Sequence, residues 1–554
     1  MMAQPGAAWR IFKKDMILLW PVALLGALTQ LGLAGLMFAS DSAPESQPLM
    51  LAARLSVAVV FLMIVFAIAF DVHQEPVPGT RQDWLIRPIR RGDLLLAKLM
   101  FVLVVVHLPM LAGDLVGGLA RGFPLGAALG AALARNLNLF VTLSLPCLGF
   151  AAMTANTAQF LIAGVAYLVA SIAGTIILNL ASRIGGQEQA TNPLFWTGVA
   201  WIPQTLQRIA LAAGALVVRA LLYSRRRVTL ARSLFPVFAI VSALAVLLPW
   251  GLIFAVQKGA SAAPAGLLVE ASFDSQVPRY GHGPGDHVRY EIDIYSAGAA
   301  QVQLRGRAAG DIGVENQVRR SQGDVTVFLP LHISGLSAGA MPWADRAVVR
   351  LKTATGQVVF NGRGDSLEWD RASPTRAYEA IRLPALVYEA AKDQPLTLEI
   401  DYSLSVLQRE TALSAAALGA DVMLPGLGRC TTDRDSDGDE IALRCLKPGR
   451  GPSCVATTLE EPASGRRNPE TLLCSPDYAP YVVKPFPDAL SRFEVETPFR
   501  DRLGLAHYPV GASQLGAARV LVTPLEARWH GQRRVLASGV RLSQWTADAG
   551  RPGA

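Results

Sequence analysis

The residues best placed to do chemistry lie near position 435 of this 554-residue chain, in Asp433-Arg-Asp-Ser-Asp-Gly-Asp439. Carboxylates at alternate positions chelate Ca2+, and Asp433, Asp435 and Asp437 occupy positions one, three and five of such a loop, with Gly438 at six. Asp439 adds a further carboxylate. Position twelve, which should supply a bidentate glutamate, is Arg444. The same residues also describe a hairpin. Asp437-Gly438 is a two-residue turn signal, and about that turn Cys430 and Cys445 stand opposite each other. The hairpin explains more residues than the calcium loop, and the two can coexist.

Cys430, Cys445, Cys454 and Cys474 cluster in one half of the chain, while Cys147 lies in an apolar run. Four clustered cysteines suggest two disulfides in an oxidising compartment. The hairpin pairs Cys430 with Cys445, and elimination then pairs Cys454 with Cys474. Neither CxxC nor zinc spacing occurs. Gly335-Leu-Ser-Ala-Gly339 matches a nucleophile elbow, but Ala-Met-Pro-Trp is a poor helix start, and the elbow requires a helix there. His282 and His287 sit on a Gly/Pro stretch and read as surface residues. No Gly-x-x-x-x-Gly-Lys-Ser/Thr occurs, nor any Gly-Lys dipeptide. Without that lysine no P-loop forms, so the chain is expected to be no enzyme and to bind no cofactor itself except Ca2+.

What positions these residues is a chain of two unlike halves. The apolar fraction is 51% and mean hydropathy +0.33. The hydrophobicity is concentrated before Gln257, giving a membrane domain at 1–257 and a globular one at 258–554. Spans are expected at 16–39, 51–70, 95–119, 137–153, 160–180, 209–223 and 234–256, after an amphipathic lead-in at Trp9–Asp15. The first is read as a retained span rather than a cleaved signal. Asp114, Arg135 and Arg219 read as interfacial charges, and 181–207 as a polar loop. The net charge of +8 is explained by short basic loops, not by nucleic acid. With the N-terminus inside, the inner segments hold Arg10, Lys13, Lys14, Arg81, Arg87, Arg90, Arg91, Lys98, Arg225, Arg226, Arg227 and Arg232. The outer ones hold Arg121, Arg135, Arg183 and Arg208. That bias puts the globular half outside, in agreement with its cysteines.

The globular half reads as mainly β, with alternation at Val288–Tyr295, Val325–Leu331, Ala347–Leu351 and Leu396–Leu404. Val520–Trp529 and Arg534–Trp545 flank an expected turn at His530-Gly531-Gln532. Short helices are expected within 372–395 and 408–420, and a loop over Pro448–Pro469. The length suits two sandwich-like modules.

One segment organises the membrane half. Asp71 to Lys98 is the most charged stretch there and contains Gly79, Thr80, Arg81, Trp84, Arg87, Pro88, Ile89, Leu94, Leu95 and Lys98. Together with the Trp9–Asp15 lead-in and the Tyr223–Arg227 basic exit, this pattern resembles the permease subunit of the type-two ABC exporters. The resemblance covers roughly the first 256 residues. It implies that Gly79, Thr80, Arg81, Trp84, Arg87, Pro88 and Lys98 belong to a loop that meets a separate cytoplasmic ATPase. It further implies ATP used through that partner, a second permease copy or paralogue, and residence in a bacterial inner membrane. The seventh span and the long outer domain depart from the family. The alternative is a non-transporting, membrane-anchored periplasmic binding or sensing module.

Overall fold

The fold is seen in a computed structural model that describes residues 5–42, 47–74, 91–166, 169, 201–224, 228–245, 248–260, 269–276, 287–288, 290–291, 324–364, 366–370, 375–435, 438–449, 454–468, 470–473, 490–500 and 508–546. The chain divides into two compact units. One comprises Met1–Thr191, Pro203–Leu248 and Val483–Ser491; the other comprises Asn192–Ile202, Pro249–Val482 and Arg492–Ala554.

The first unit is helical. Its helices are α1 (Pro5–Ser42), α2 (Gln47–Gln74), α3 (Arg91–Val102), α4 (Leu108–Ala120), α5 (Leu125–Leu139), α6 (Leu145–Met153), α7 (Thr157–Ala166), α8 (Trp201–Arg219), whose first two residues belong to the second unit, and α9 (Val228–Leu244). The π-helical turns Leu103–His107 and Phe140–Ser144 join α3 to α4 and α5 to α6 into continuous rods. Among the described residues, five helical stretches are long and apolar enough to cross a membrane: Gly6–Ala39, Leu51–Gln74, Gly92–Ala120, Leu125–Met153 and Trp201–Leu222. Their length and composition are consistent with a membrane protein.

The expected seven spans need correction. The lead-in is not separate, because α1 runs through Trp9–Asp15 without a break. The fourth rod starts at Leu125, not near 137, and includes Arg135, Asn136 and Asn138. The stretch 181–207, expected to be a polar loop, includes the start of α8 at Trp201. Most of 160–180 lies outside the described residues. The expected span 234–256 is two helices, α9 and α10 (Trp250–Ala260), separated at Leu248–Pro249. Pro249 has no N–H to continue the ladder of α9, while its carbonyl accepts from Leu252 at 3.0 Å to start the next helix. Neither piece reaches the roughly 20 residues a span requires.

The second unit is mostly antiparallel β. Its strands are β1 (Glu270–Phe273), β2 (His287–Val288), β3 (Tyr290–Glu291), β4 (Asp324–Ser334), β5 (Ala340–Lys352), β6 (Val358–Arg363), β7 (Ser366–Asp370), β8 (Arg376–Pro384) and β9 (Leu396–Arg409). After these come β10 (Leu413–Ala416), β11 (Asp421–Leu424), β12 (Gly428–Arg434), β13 (Glu440–Pro448), β14 (Cys454–Glu461), β15 (Arg466–Arg467), β16 (Thr471–Leu473), β17 (Leu490–Pro498) and β18 (Arg519–Val540). A short helix, α11 (Ala385–Ala391), follows β8. The described strands form three sheets. One runs β1-β4-β8-β7-β2, one β3-β16-β14-β18-β9-β5-β6 with β10 and β15 attached, and one β11-β12-β13-β17.

Two apolar cores use opposite faces of the large sheet. Cys454, Ala456 and Leu472 join the core that includes Leu329 and Ile381 of the first sheet. Their neighbours Val455 and Leu473 join the core that includes Leu443 and Val495 of the small sheet. Successive residues of a strand point to opposite faces, so β14 and β16 are covered on both sides.

Several expectations for this half are overturned. The turn at 530–532 does not exist, since β18 passes straight through it. Gly531 has a different reason to be glycine: a Cβ there would run into the Trp529 indole. Residues 408–420 contain β10 rather than a helix, and Pro448–Pro469 contains β14. Within 372–395 the helix is limited to α11, after β8. Of the Val288–Tyr295 run, only Val288, Tyr290 and Glu291 lie among the described strand residues.

Candidate functional site

Each of the first three helices carries a buried apolar stripe with a charge on it, and on α3 Asp93 is buried as well as Lys98. On α1 the stripe is Ala8, Ile11, Phe12, Asp15 and Leu19; on α2 it is Val60, Ile64, Ala67, Ile68, Asp71 and Val72. On α3 and the turn after it, Leu94, Ala97, Lys98, Phe101, Val102 and Val105 recur at i, i+3, i+4 and i+7. Asp15, Lys98 and Asp71 meet. Lys98 Nζ lies 2.8 Å from Asp15 Oδ2 and 3.3 Å from Asp71 Oδ1. The carboxylate side chains are 0% exposed and the lysine 2%. A charge buried this far needs partners, and truncating one partner is costly. Asp71 and Lys98 stand on the helices that enter and leave residues 75–90, so the clamp fastens both stems of that stretch to α1. Gly79, Thr80, Arg81, Trp84, Arg87 and Pro88 lie outside the described residues.

The interior of the helical unit holds a second polar group. Asp114 on α4 pairs with Arg135 on α5, with side chains 9% and 12% exposed. Both were read from the sequence as interfacial charges, and the structure adds that they pair with each other. His107 Nδ1 is 3.2 Å from Asn136 Oδ1, and Nε2 is 3.0 Å from Ser144 Oγ. Asn136 Nδ2 donates to Ala132 O, so His107 Nδ1–H donates to the Asn136 oxygen and Ser144 donates to Nε2. His107 and Ser144 close the two π-helical turns, a geometry frequent at functional positions. Arg219, also read as interfacial, is buried at the end of α8.

In the β unit, Cys430 and Cys445 are paired across β12 and β13 and bonded. The loop is longer than the expected two residues. Asp435 N donates to Glu440 O and Gly438 N to Asp435 O, with Gly438 at φ 78°. The register is unchanged, with Arg434 opposite Ile441 as the last pair of the ladder. Cys454 is also disulfide-bonded, whereas Cys474, its expected partner, lies outside the described residues. Cys147 is a free thiol.

Of the proposed calcium ligands, Asp437 lies outside the described residues. Asp433 points towards Arg444 at 3.9 Å, and Asp439 towards Arg500 at 3.9 Å. The carboxylates that converge are Asp435, Glu440 and Glu496, the last on β17. Burial, followed by the hydrogen bond with Glu440 and the charges of Glu440, Asp435 and Glu494, pushes Glu496 up to about 9. At neutral pH Glu496 thus keeps its proton, which allows its hydrogen bond with Glu440. Nothing in the motif pointed to Glu496, which is distant in sequence.

The Gly335–Gly339 match links β4 of the first sheet to β5 of the large sheet, so a strand follows where the elbow requires a helix, and Ser337 donates to Gln408 instead. His287 is on β2, opposite Asp370, and His282 lies outside the described residues.

The chain matches no known protein-family model and no curated protein sequence.

Proposed function

We propose that this chain is the transmembrane permease subunit of an ABC-type export complex, driven by a separate cytoplasmic ATPase. The observation that carries the reading is the Asp15–Lys98–Asp71 clamp. A loop that receives force from an ATPase must pass it to the spans through stiff stems, and the clamp joins both stems of 75–90 to α1 by buried ion pairs. The Gly79 to Lys98 pattern supplies the contact surface in this reading, with Trp84 as apolar anchor and Arg81 and Arg87 as carboxylate partners. The five apolar helices give the subunit its membrane body. The basic bias of the loops sets the N-terminus in the cytoplasm, and the disulfides suit a periplasmic β unit. The inner membrane is the compartment these features fit, with a second permease subunit completing the pathway.

The test is to change Trp84→Ala and Arg87→Glu separately in the full chain, after confirming membrane insertion. Both variants are expected to lose co-purification with the ATPase and its stimulated turnover. Normal assembly and turnover in both would remove the loop from the mechanism. The long β unit favours a second reading, a membrane-anchored binding or sensing module without transport. That reading predicts no ATPase partner.

A further inference from the structure

Strand β9 changes character halfway along. Leu396, Leu398, Ile400, Tyr402, Leu404 and Val406 face the core, while Thr397, Glu399 and Asp401 are only partly covered. The same outer face continues to Ser403 and Ser405, which are buried. What bonds to that face is α10. Trp250, Ile253, Phe254 and Gln257 share one side of this helix, at i, i+3, i+4 and i+7. Trp250 Nε1 donates to Ser403 Oγ at 3.0 Å, under the Arg346 guanidinium. A bulge in β5 at Asp345 turns its carboxylate inward to Ser405, and a second bulge, in β18, comes just before His530.

These groups form one line of hydrogen bonds. Trp201 Nε1 lies 2.6 Å from Gln257 Oε1, and Gln257 Nε2 lies 2.8 Å from His530 Nε2. His530 Nδ1 lies 2.7 Å from Ser405 Oγ, and Ser405 meets Asp345 Oδ2. The proton positions follow from the two ends. An indole N–H only donates, and an ionised carboxylate only accepts. Hence the Ser405 hydroxyl donates to Asp345 and accepts from His530 Nδ1–H. His530 Nε2 then accepts from the Gln257 amide, whose oxygen accepts from Trp201. Every bond runs the same way, and the line is satisfied only while His530 is neutral.

We propose that this line is a pH-operated latch: protonation of His530 releases α10 and the Trp201 indole from the β9/β18 face. A proton on Nε2 sets donor against donor at Gln257. Flipping the amide only moves the conflict to Trp201, because that group has no lone pair to offer. Among the described residues the carboxylate on the line is Asp345, already engaged through Ser405. Arg346 over Trp250, Arg533 over Trp529 and Lys258 beside Gln257 are all cationic, and none stabilises an imidazolium. Burial agrees, lowering His530 from 6.5 to about 4. The latch does not depend on the ATP-driven reading.

Hydrogen exchange of the full chain in nanodiscs tests it, comparing residues 250–260 at pH 7 and pH 4.5 after correction for intrinsic exchange rates. A histidine that regains its ordinary value on release shifts the opening equilibrium by on the order of 50-fold over that range. The wild type should show that loss of protection while Leu396–Ile400 stays protected. Gln257→Glu should keep α10 protected at pH 4.5, since a carboxylate accepts from both Trp201 and the imidazolium. His530→Gln should show little pH dependence. Equal wild-type protection at both pH values, equal loss in Gln257→Glu, or loss at Leu396–Ile400 together with α10 would each overturn the latch.

Discussion

Replacing Lys98 by methionine isolates the electrostatics of the clamp. Methionine has nearly the length of the lysine stem, so the stripe on α3 keeps its packing and only the ammonium is lost. What remains is Asp15 and Asp71, both fully buried and without the ammonium 2.8 and 3.3 Å away, with the half-exposed Lys14 3.6 Å from Asp15. Removing one member of a buried ion pair costs about 3–5 kcal/mol, against 0–1 kcal/mol for an exposed pair. Lys98→Met is therefore expected to destabilise the helical unit by about 4 kcal/mol. The triple change Asp15→Asn, Asp71→Asn, Lys98→Met removes the three buried charges at once and should recover most of that loss, because the half-exposed Lys14, 3.6 Å from Asp15, can turn to water. The assay is equilibrium unfolding of the purified full chain in detergent, followed by far-ultraviolet circular dichroism. A loss within about 1 kcal/mol for Lys98→Met, or no recovery in the triple variant, would refute the clamp.

Other consequences can be read more briefly. Glu496 holds its proton in the fold up to about 9 but loses it near 4.5 when unfolded, so the folded state binds the extra proton between those values. The β unit should thus lose stability as pH rises from about 4.5 towards 9. Glu496→Gln should flatten that slope in thermal unfolding at pH 6 and pH 8.5; equal slopes would contradict the assignment. Gly531→Ala places a methyl against the Trp529 ring and is expected to cost about 1–3 kcal/mol in thermal unfolding of the β unit. A neutral result there would mean the indole is free to move aside.

Much of this architecture was legible in the sequence, for reasons that local patterns carry. The first three apolar runs became α1, α2 and the α3–α4 rod because spans announce themselves by length and composition. The Cys430–Cys445 register followed from symmetry about Asp437-Gly438, and it survived a longer loop because two-fold symmetry does not depend on loop length. Pairing between distant residues was not legible. Asp114 and Arg135 each looked costly alone, and only the packing of α4 on α5 shows them neutralising each other. Lys98 offered a usable signal, being a lone cation at the centre of an apolar helical stripe. His530-Gly531-Gln532 imitated a turn because glycine is also used beneath an aromatic ring in a strand. The burial of Ser403 and Ser405 was not legible, because nothing local in β9 says that Trp250 and His530 bond to them.

The most direct test of the central claim is to purify the tagged full chain from its native membranes and ask what accompanies it. The account predicts a stoichiometric cytoplasmic ATPase subunit, ATP turnover by the complex, and loss of both with Trp84→Ala or Arg87→Glu. A chain that purifies without an ATPase, inserts normally and shows no ATP turnover in any preparation would contradict it.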